Sequence, residues 1–275
     1  MKKLCALFCL SSLISVAAPT VGYGLTGPGP VVVITGGYDS CTRDRAGNVS
    51  PFGGNFNGEG VRFVNQMQEK FATIERGVRW VFFCFDKQGT LYVQDSSDNA
   101  VEGSDMWDVN FLIDRIERQS ENYQRPVYVI GHSHGGWLAM QIALSLRQPL
   151  VGGYLATIDP ISFIECNAAT FADALLGGWG QLEPCRRAPQ DMGSWGVNQI
   201  KKMIPGGSWR HYYQTNFLPL HSGPMHGPDK SLDMSPFLSL NAGVASTINA
   251  HVRIANLSSV WIGLRLSLER DFGLN

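Results

Sequence analysis

The spacing of apolar residues along the chain changes several times, and each change marks an element. Val31-Val32-Val33-Ile34 is an unbroken β-branched run closed by Gly36-Gly37, which predicts a strand buried on both faces. From Glu59 to Ile74, the residues Val61, Val64, Met67, Phe71 and Ile74 recur at helical intervals and form one apolar stripe. Val78 to Phe85 reads as a second strand, followed by a polar stretch rich in Gly, Asp and Ser. A helix near Asp105 to Glu121 carries Val109, Leu112, Ile113 and Ile116 on one side. Pro126 opens a third strand, Val127 to Ile130, which runs into Gly131 and a helix from about Gly135 to Leu146. A fourth strand is predicted from Val151 to Ile158. Strand and helix alternating at this spacing predict an α/β fold: a mostly parallel central sheet with right-handed crossovers and helices on both faces.

Beyond Pro160 the periodicity weakens. Residues 163–208 hold Gly177-Gly178, Gly206-Gly207, several Trp and two Cys, and read as an irregular, cap-like insertion over one edge of the sheet. A further strand is expected at His211 to Thr215, a loop at 219–229, and a closing helix at Val260 to Leu268 with Trp261, Leu264 and Leu268 on one face. No internal repeat is visible.

With 275 residues and 44% hydrophobic positions, the chain is long and apolar enough for one large domain with a buried core, and too apolar for disorder. Twenty-two basic against 23 acidic residues leave no cationic excess, so neither nucleic acid nor an anionic membrane surface is an expected partner. The first residues read as a bacterial-type secretory signal peptide. Lys2-Lys3 precede an uncharged stretch of 13 residues, Leu4 to Val16, and Ser15-Val16-Ala17 places small residues at a cleavage site. That run is shorter than the roughly 20 residues a bilayer-spanning helix needs. The expected mature domain is 18–275, exported to the periplasm or beyond, with no membrane span. Its four cysteines, Cys41, Cys84, Cys166 and Cys185, allow three pairings, of which the local pairs Cys41–Cys84 and Cys166–Cys185 are favoured by their order in the chain. No spacing typical of a zinc site occurs, and no metal or cofactor is expected.

The chemistry is concentrated in Gly131-His132-Ser133-His134-Gly135-Gly136. Here a strand turns abruptly into a helix through G-x-S-x-G, which sets Ser133 on a tight bend while Gly131 and Gly135 let strand and helix approach closely. The hydroxyl is then presented above the carboxyl ends of the strands, where open α/β sheets bind ligands. A serine hydroxyl needs a base and a group to orient that base, following here in the order Ser, acid, His. Asp159 ends the fourth strand and Pro160 stops it continuing; Asp191, Asp229 and Asp233 are the other acids considered. His251, just before the last helix, is the leading base and His226 the reserve. His221 shares the loop of His226, His211 sits in a predicted strand, and His132 and His134 flank the nucleophile and point away from it. Backbone N–H groups for an oxyanion are expected at His134, where the helix dipole favours negative charge, and in the turn Thr35-Gly36-Gly37-Tyr38, at Gly37 or Tyr38.

These pieces resemble the α/β-hydrolase superfamily, on its lipase and esterase side. Val127 to Gly136 matches the strand and elbow, Ile158-Asp159-Pro160 the acid turn, Ile34 to Tyr38 the oxyanion turn, and Ala250-His251-Val252 the base. An Asp-Pro turn after the strand that follows the nucleophile helix looks like the pancreatic-type lipases. The chain departs from the usual pattern in having Thr35-Gly36 rather than His-Gly at the oxyanion turn, and it lacks a recognisable lid sequence. The resemblance implies a cofactor-free serine hydrolase that cleaves a small-molecule or lipid ester through an acyl-enzyme on Ser133. Phe163, Phe171, Leu175, Leu176, Trp179 and Trp195 are candidates to line an acyl pocket or simply to cover the sheet. Thioesterase, amidase and acyltransferase chemistry use the same triad, and an inactive binding protein on the same fold is the alternative from another class.

Overall fold

The computed structural model describes residues 28–37, 40–43, 45–47, 49–50, 59–70, 77–86, 90–104, 109–150, 152–161, 193–205, 208–216, 222–238 and 250–271. Its centre is an eight-stranded sheet. The strands in chain order are β1 (Val31–Thr35), β4 (Arg79–Phe85), β5 (Leu91–Asp95), β6 (Asp98–Ser104), β7 (Val127–His132), β8 (Tyr154–Ile158), β9 (Ser208–Tyr213) and β10 (Lys230–Asp233). A separate small ribbon pairs β2 (Thr42–Arg43) with β3 (Val49–Ser50). In space the sheet runs β10-β9-β8-β7-β1-β4-β5-β6. From β10 to β4 every pairing is parallel, and the β4–β5 and β5–β6 pairings are antiparallel.

The alternation along each central strand builds two cores. Val32 and Ile34 of β1, Tyr128 and Ile130 of β7, and Tyr154, Ala156 and Ile158 of β8 face one side. There they meet Phe63, Val64 and Met67 of helix α1 (Glu59–Lys70) and Val260, Trp261, Leu264 and Leu268 of the last helix, α5 (Ser258–Asp271). Val31, Val33, Val127, Val129 and Leu155 face the other side, under α2 (Val109–Gln119), α3 (His134–Ser145) and α4 (Gly193–Met203). Helix α3 lies between α2 and α4 and is apolar nearly all round, as a helix enclosed on several sides must be.

The chain leaves β1 for β4 by way of α1, on one face, and comes back to β7 by way of α2, on the other. Neighbouring strands β1 and β7 are therefore left in opposite directions, and a crevice opens above their carboxyl ends. The opposite ends are gathered by Arg125, which is 1% exposed. Its Nη1 donates to the carbonyls of Gly29 and Gly77, each at 3.0 Å, just before β1 and β4, while Arg125 itself precedes β7.

The expected architecture is present, with local differences. Residues 91–104, read as part of a polar loop, form the β5–β6 hairpin. Leu91, Val93 and Asp95 are buried in alternation with Tyr92 and Gln94, and the buried Asp95 is paired with Arg115 at 3.0 Å. The fourth strand begins at Tyr154 rather than Val151, because Gly152 turns the chain with φ 67°. Within the segment read as irregular, Gly193–Met203 form α4, whose Ile200 joins the core over the sheet; residues 162–192 lie outside the described set. Strand β10, wholly exposed, carries no apolar signal. The Cys41–Cys84 bridge is formed, with a Cα–Cα separation of 5.1 Å. Cys166 and Cys185, like the signal segment, lie outside the described residues. Among those residues no helix is long and apolar enough to cross a membrane, and no group of three or more metal-ligating side chains occurs.

The bridge closes a loop with a sequence separation of 43. Replacing both cysteines by Ser is expected to lower the free energy of unfolding by about 4 kcal/mol through the entropy restored to the unfolded chain, measured as a fall in the urea midpoint.

Candidate active site

Ser133 occupies the single residue between β7 and α3, with φ 58° and ψ −130°. A side chain held at positive φ stores about 1–3 kcal/mol of strain, so the surroundings must over-determine it. They do so by close packing and by main-chain bonds. A Cβ on Gly131 would overlap the Gly135 carbonyl and Thr35 Oγ1, and one on Gly135 would overlap the carbonyls of Thr35 and Gly36. Thr35 Oγ1 in turn donates to the Gly135 carbonyl at 2.6 Å. Ser133 N–H donates to Ile158 O at 3.1 Å, and Ser133 O accepts from Ile161 N–H at 3.0 Å and Gly136 N–H at 2.9 Å. The elbow is thus tied to the β8 end on one side and to the β1 turn on the other. Ser133 is left 6% exposed.

Asp159 follows β8 and is fully buried, with φ 42°. Its N–H donates to Tyr212 O at 2.7 Å, and a Cβ on Gly136 would meet Pro160 Cβ at 2.9 Å, so the Asp-Pro turn rests on the first turn of α3. Four donors converge on the carboxylate. Oδ2 accepts from His251 Nδ1 at 2.8 Å and Gln214 Nε2 at 2.9 Å; Oδ1 accepts from Ser222 N–H at 2.8 Å and Ser222 Oγ at 3.1 Å. Burial alone raises such a carboxyl, but the His251, Ser222 and Gln214 bonds outweigh it and hold Asp159 below its usual range. Neither Gln214 nor Ser222 was singled out from sequence: one follows β9, the other sits in the Gly/Pro loop.

His251 lies in the helical residues 250–254 and is 4% exposed. With Nδ1 on Asp159, its Nε2 makes no hydrogen bond among the described residues, Ser133 Oγ included. Both histidines beside Ser133 are near it. His132 Nε2–H donates to the His251 carbonyl at 2.8 Å and its ring centroid is 4.7 Å from that of His251. His134 Nδ1–H donates to Ile161 O at 3.1 Å. A carbonyl only accepts, which fixes the proton on the named nitrogen in each ring. Burial, and secondarily the charge His251 can carry, push both His132 and His134 down to about 3.

The other candidates separate from this cluster or support it. His211 is buried in β9, with Nε2–H donating to Gly223 O at 2.7 Å and Nδ1 accepting from Thr157 Oγ1 at 3.1 Å. His226 is exposed. Asp229 accepts from Trp209 N–H at 2.7 Å and Asp233 from Ser235 N–H at 2.9 Å, both as local ties. His221, Asp191 and Tyr38 lie outside the described residues, as do Phe163, Phe171, Leu175, Leu176 and Trp179. Trp195 is on α4, 70% exposed. In the β1 turn, Gly36 N–H is taken by Phe83 O at 2.8 Å, while the buried Gly37 N–H enters no hydrogen bond among the described residues. Beyond it, Ser40 and Cys41 N–H both donate to Phe85 O, at 2.9 and 3.2 Å, and the disulfide fastens the same segment to β4.

Part of the chain is similar to proline iminopeptidases. It is 27% identical over 106 residues to that of Elizabethkingia meningoseptica, covering 36% of this chain and 33% of the relative. It is 28% identical over 96 residues to that of Flavobacterium johnsoniae, covering 34% and 31%. The chain thus spans about a third of the length of the curated relatives it matches. No protein-family model matches. The solved structure of DcsB in complex with its substrate analogue superposes with a TM-score of 0.39 at 12% identity, over 91% of this chain and 93% of that one.

The buried imidazoles make stability depend on pH. Unfolded, His132 and His134 titrate near 6.5; folded, near 3. Between those values the unfolded state binds more protons, so stability falls as pH drops through the window, by up to about 1.4 kcal/mol per pH unit for each ring. Asp159, whose folded value is depressed, adds stability that is lost at still lower pH. His132→Gln or His134→Gln is expected to flatten the dependence between about pH 6.5 and 3, read from urea unfolding at a series of fixed pH values.

Proposed function

We propose that the protein is an exported serine hydrolase of the α/β-hydrolase superfamily that cleaves carboxylic esters through an acyl-enzyme on Ser133. The observation that carries this reading is the coincidence of a strained serine at a strand-to-helix bend with a histidine whose Nδ1 is held by a buried carboxylate at 2.8 Å and whose Nε2 makes no hydrogen bond among the described residues. Nucleophilic catalysis at serine needs those three elements, and in unliganded enzymes the bond from serine to base is often long and tightens only with substrate.

In this reading His251 Nε2 takes the Ser133 proton as Oγ attacks the acyl carbonyl. Asp159, kept ionised by its other donors, orients the ring and stabilises the imidazolium. The His134 and Gly37 N–H groups receive the oxyanion, supported by the position of Gly37 beside the first turn of α3. The alcohol leaves with the proton from His251, and water deacylates Ser133 by the reverse sequence. Export is supported by the amino-terminal pattern and by the Cys41–Cys84 bridge, since disulfides persist in oxidising compartments.

The local similarity to proline iminopeptidases favours a second reading, cleavage of a peptide bond by the same machinery. The two are separated by turnover of p-nitrophenyl esters of graded chain length against prolyl-p-nitroanilide. Ester turnover with fluorophosphonate labelling of Ser133 is the expected result; turnover of the anilide alone would shift the assignment to a peptidase. Ser133→Ala should abolish both labelling and turnover, and Asp159→Asn should lower kcat by about 10³–10⁴. Wild-type protein that neither turns over an ester nor is labelled would overturn the enzymatic reading.

A further inference from the structure

Along β7, Tyr128, Ile130 and His132 point to the same face of the sheet, and the first two sit in its apolar core with Ala250 and Ile254, which flank His251. A third apolar side chain would continue that row without penalty. The row ends instead in a fully buried imidazole, whose polar atoms lose water on folding. At Nε2 that loss is offset by a long-range bond, the 2.8 Å hydrogen bond from His132 Nε2–H to the main-chain carbonyl of His251, 119 residues away.

We infer that His132 is a positioning residue for the base, its hydrogen bond and ring contact fixing the backbone of residue 251 so that Nδ1 stays on Asp159 and Nε2 stays available for the Ser133 proton. This rests on the reading of His251 as the base. The chain supplies the coupling directly, since His132 is the residue before the nucleophile: any shift of the elbow carries His132, and through it His251, in the same direction. The ring also stays neutral in the folded protein, pushed down to about 3 first by burial and then by His251. A neutral ring at 4.7 Å does not oppose the positive charge that His251 acquires during turnover. Among the described residues, the titratable groups facing His251 are then Asp159, which stabilises the charged ring, and the neutral His132 and His134.

The test is His132→Phe, which keeps an aromatic ring of similar size and removes the donor, beside His132→Gln, which restores an N–H. In the Phe variant the fluorophosphonate labelling rate and kcat should fall about tenfold, with KM changed less than about twofold, as for loss of an interaction that matters in the transition state. The His251 Nδ1 proton, held on Asp159 and followed by NMR, should exchange with water faster and its resonance should move, because the pair is looser. Gln should recover most of the rate. A folded Phe variant with the wild-type labelling rate and an unchanged His251 Nδ1 proton resonance would overturn the inference. Should Phe prevent folding, His132→Asn, polar but too short to reach the carbonyl, is read in the same way. The proton resonance needs no substrate, so an absence of ester turnover in the wild type would count against the ester reading alone and leave His132 to be judged by NMR.

Discussion

Everything at the site depends on how closely the end of β1 approaches the start of α3. The carbonyls of Thr35 and Gly36 leave no room for a Cβ at Gly135, the Gly135 carbonyl and the Thr35 hydroxyl leave none at Gly131, and that hydroxyl closes the contact by donating to the Gly135 carbonyl. That approach compresses the β7–α3 junction into one residue and forces Ser133 into its strained conformation. The same contact sets the Gly37 turn beside the first turn of the helix. The position of the serine and that of the turn are thus two results of one steric constraint, and neither can be relaxed alone.

Around this contact the protein manages charge by exclusion and by saturation. His132 and His134 are kept neutral by burial, while Asp159, likewise buried, is kept ionised because both its oxygens are filled with donors from three separate segments. Groups of opposite titration behaviour thus sit within one small volume, each held in a single state, and the His251 ring beside them keeps an Nε2 that makes no hydrogen bond among the described residues. Such separation is how a fold assigns different proton roles to neighbouring side chains.

The parts of this arrangement that were legible in the sequence are those whose physics is local. Ser133 was visible because a bend of this kind needs glycine at fixed offsets, and Asp159 because a carboxylate followed by proline ends a strand. The central strands were visible because burial on both faces leaves an unbroken β-branched run. What was hidden depends on partners distant in the chain. Gln214 and Ser222 are ordinary polar residues until β9 and the loop after it bring them to Asp159, across 55 and 63 residues. The β5–β6 hairpin was obscured by Asp95, a charge at a core-facing position that is explained by its bonds to Ser97 and to the distant Arg115. Strand β10 is held by main-chain pairing with β9, and its exposed side chains carry no trace of that.

The buried guanidinium of Arg125 draws together the segments leading into β1, β4 and β7 at the end of the sheet opposite Ser133. A fold pinned from below in this way separates what must stay rigid from what can diversify. Loops at the upper rim can lengthen, shorten or be exchanged without altering the register of the three strands beneath them, so the rim of this scaffold is open to changes that leave its foundation untouched.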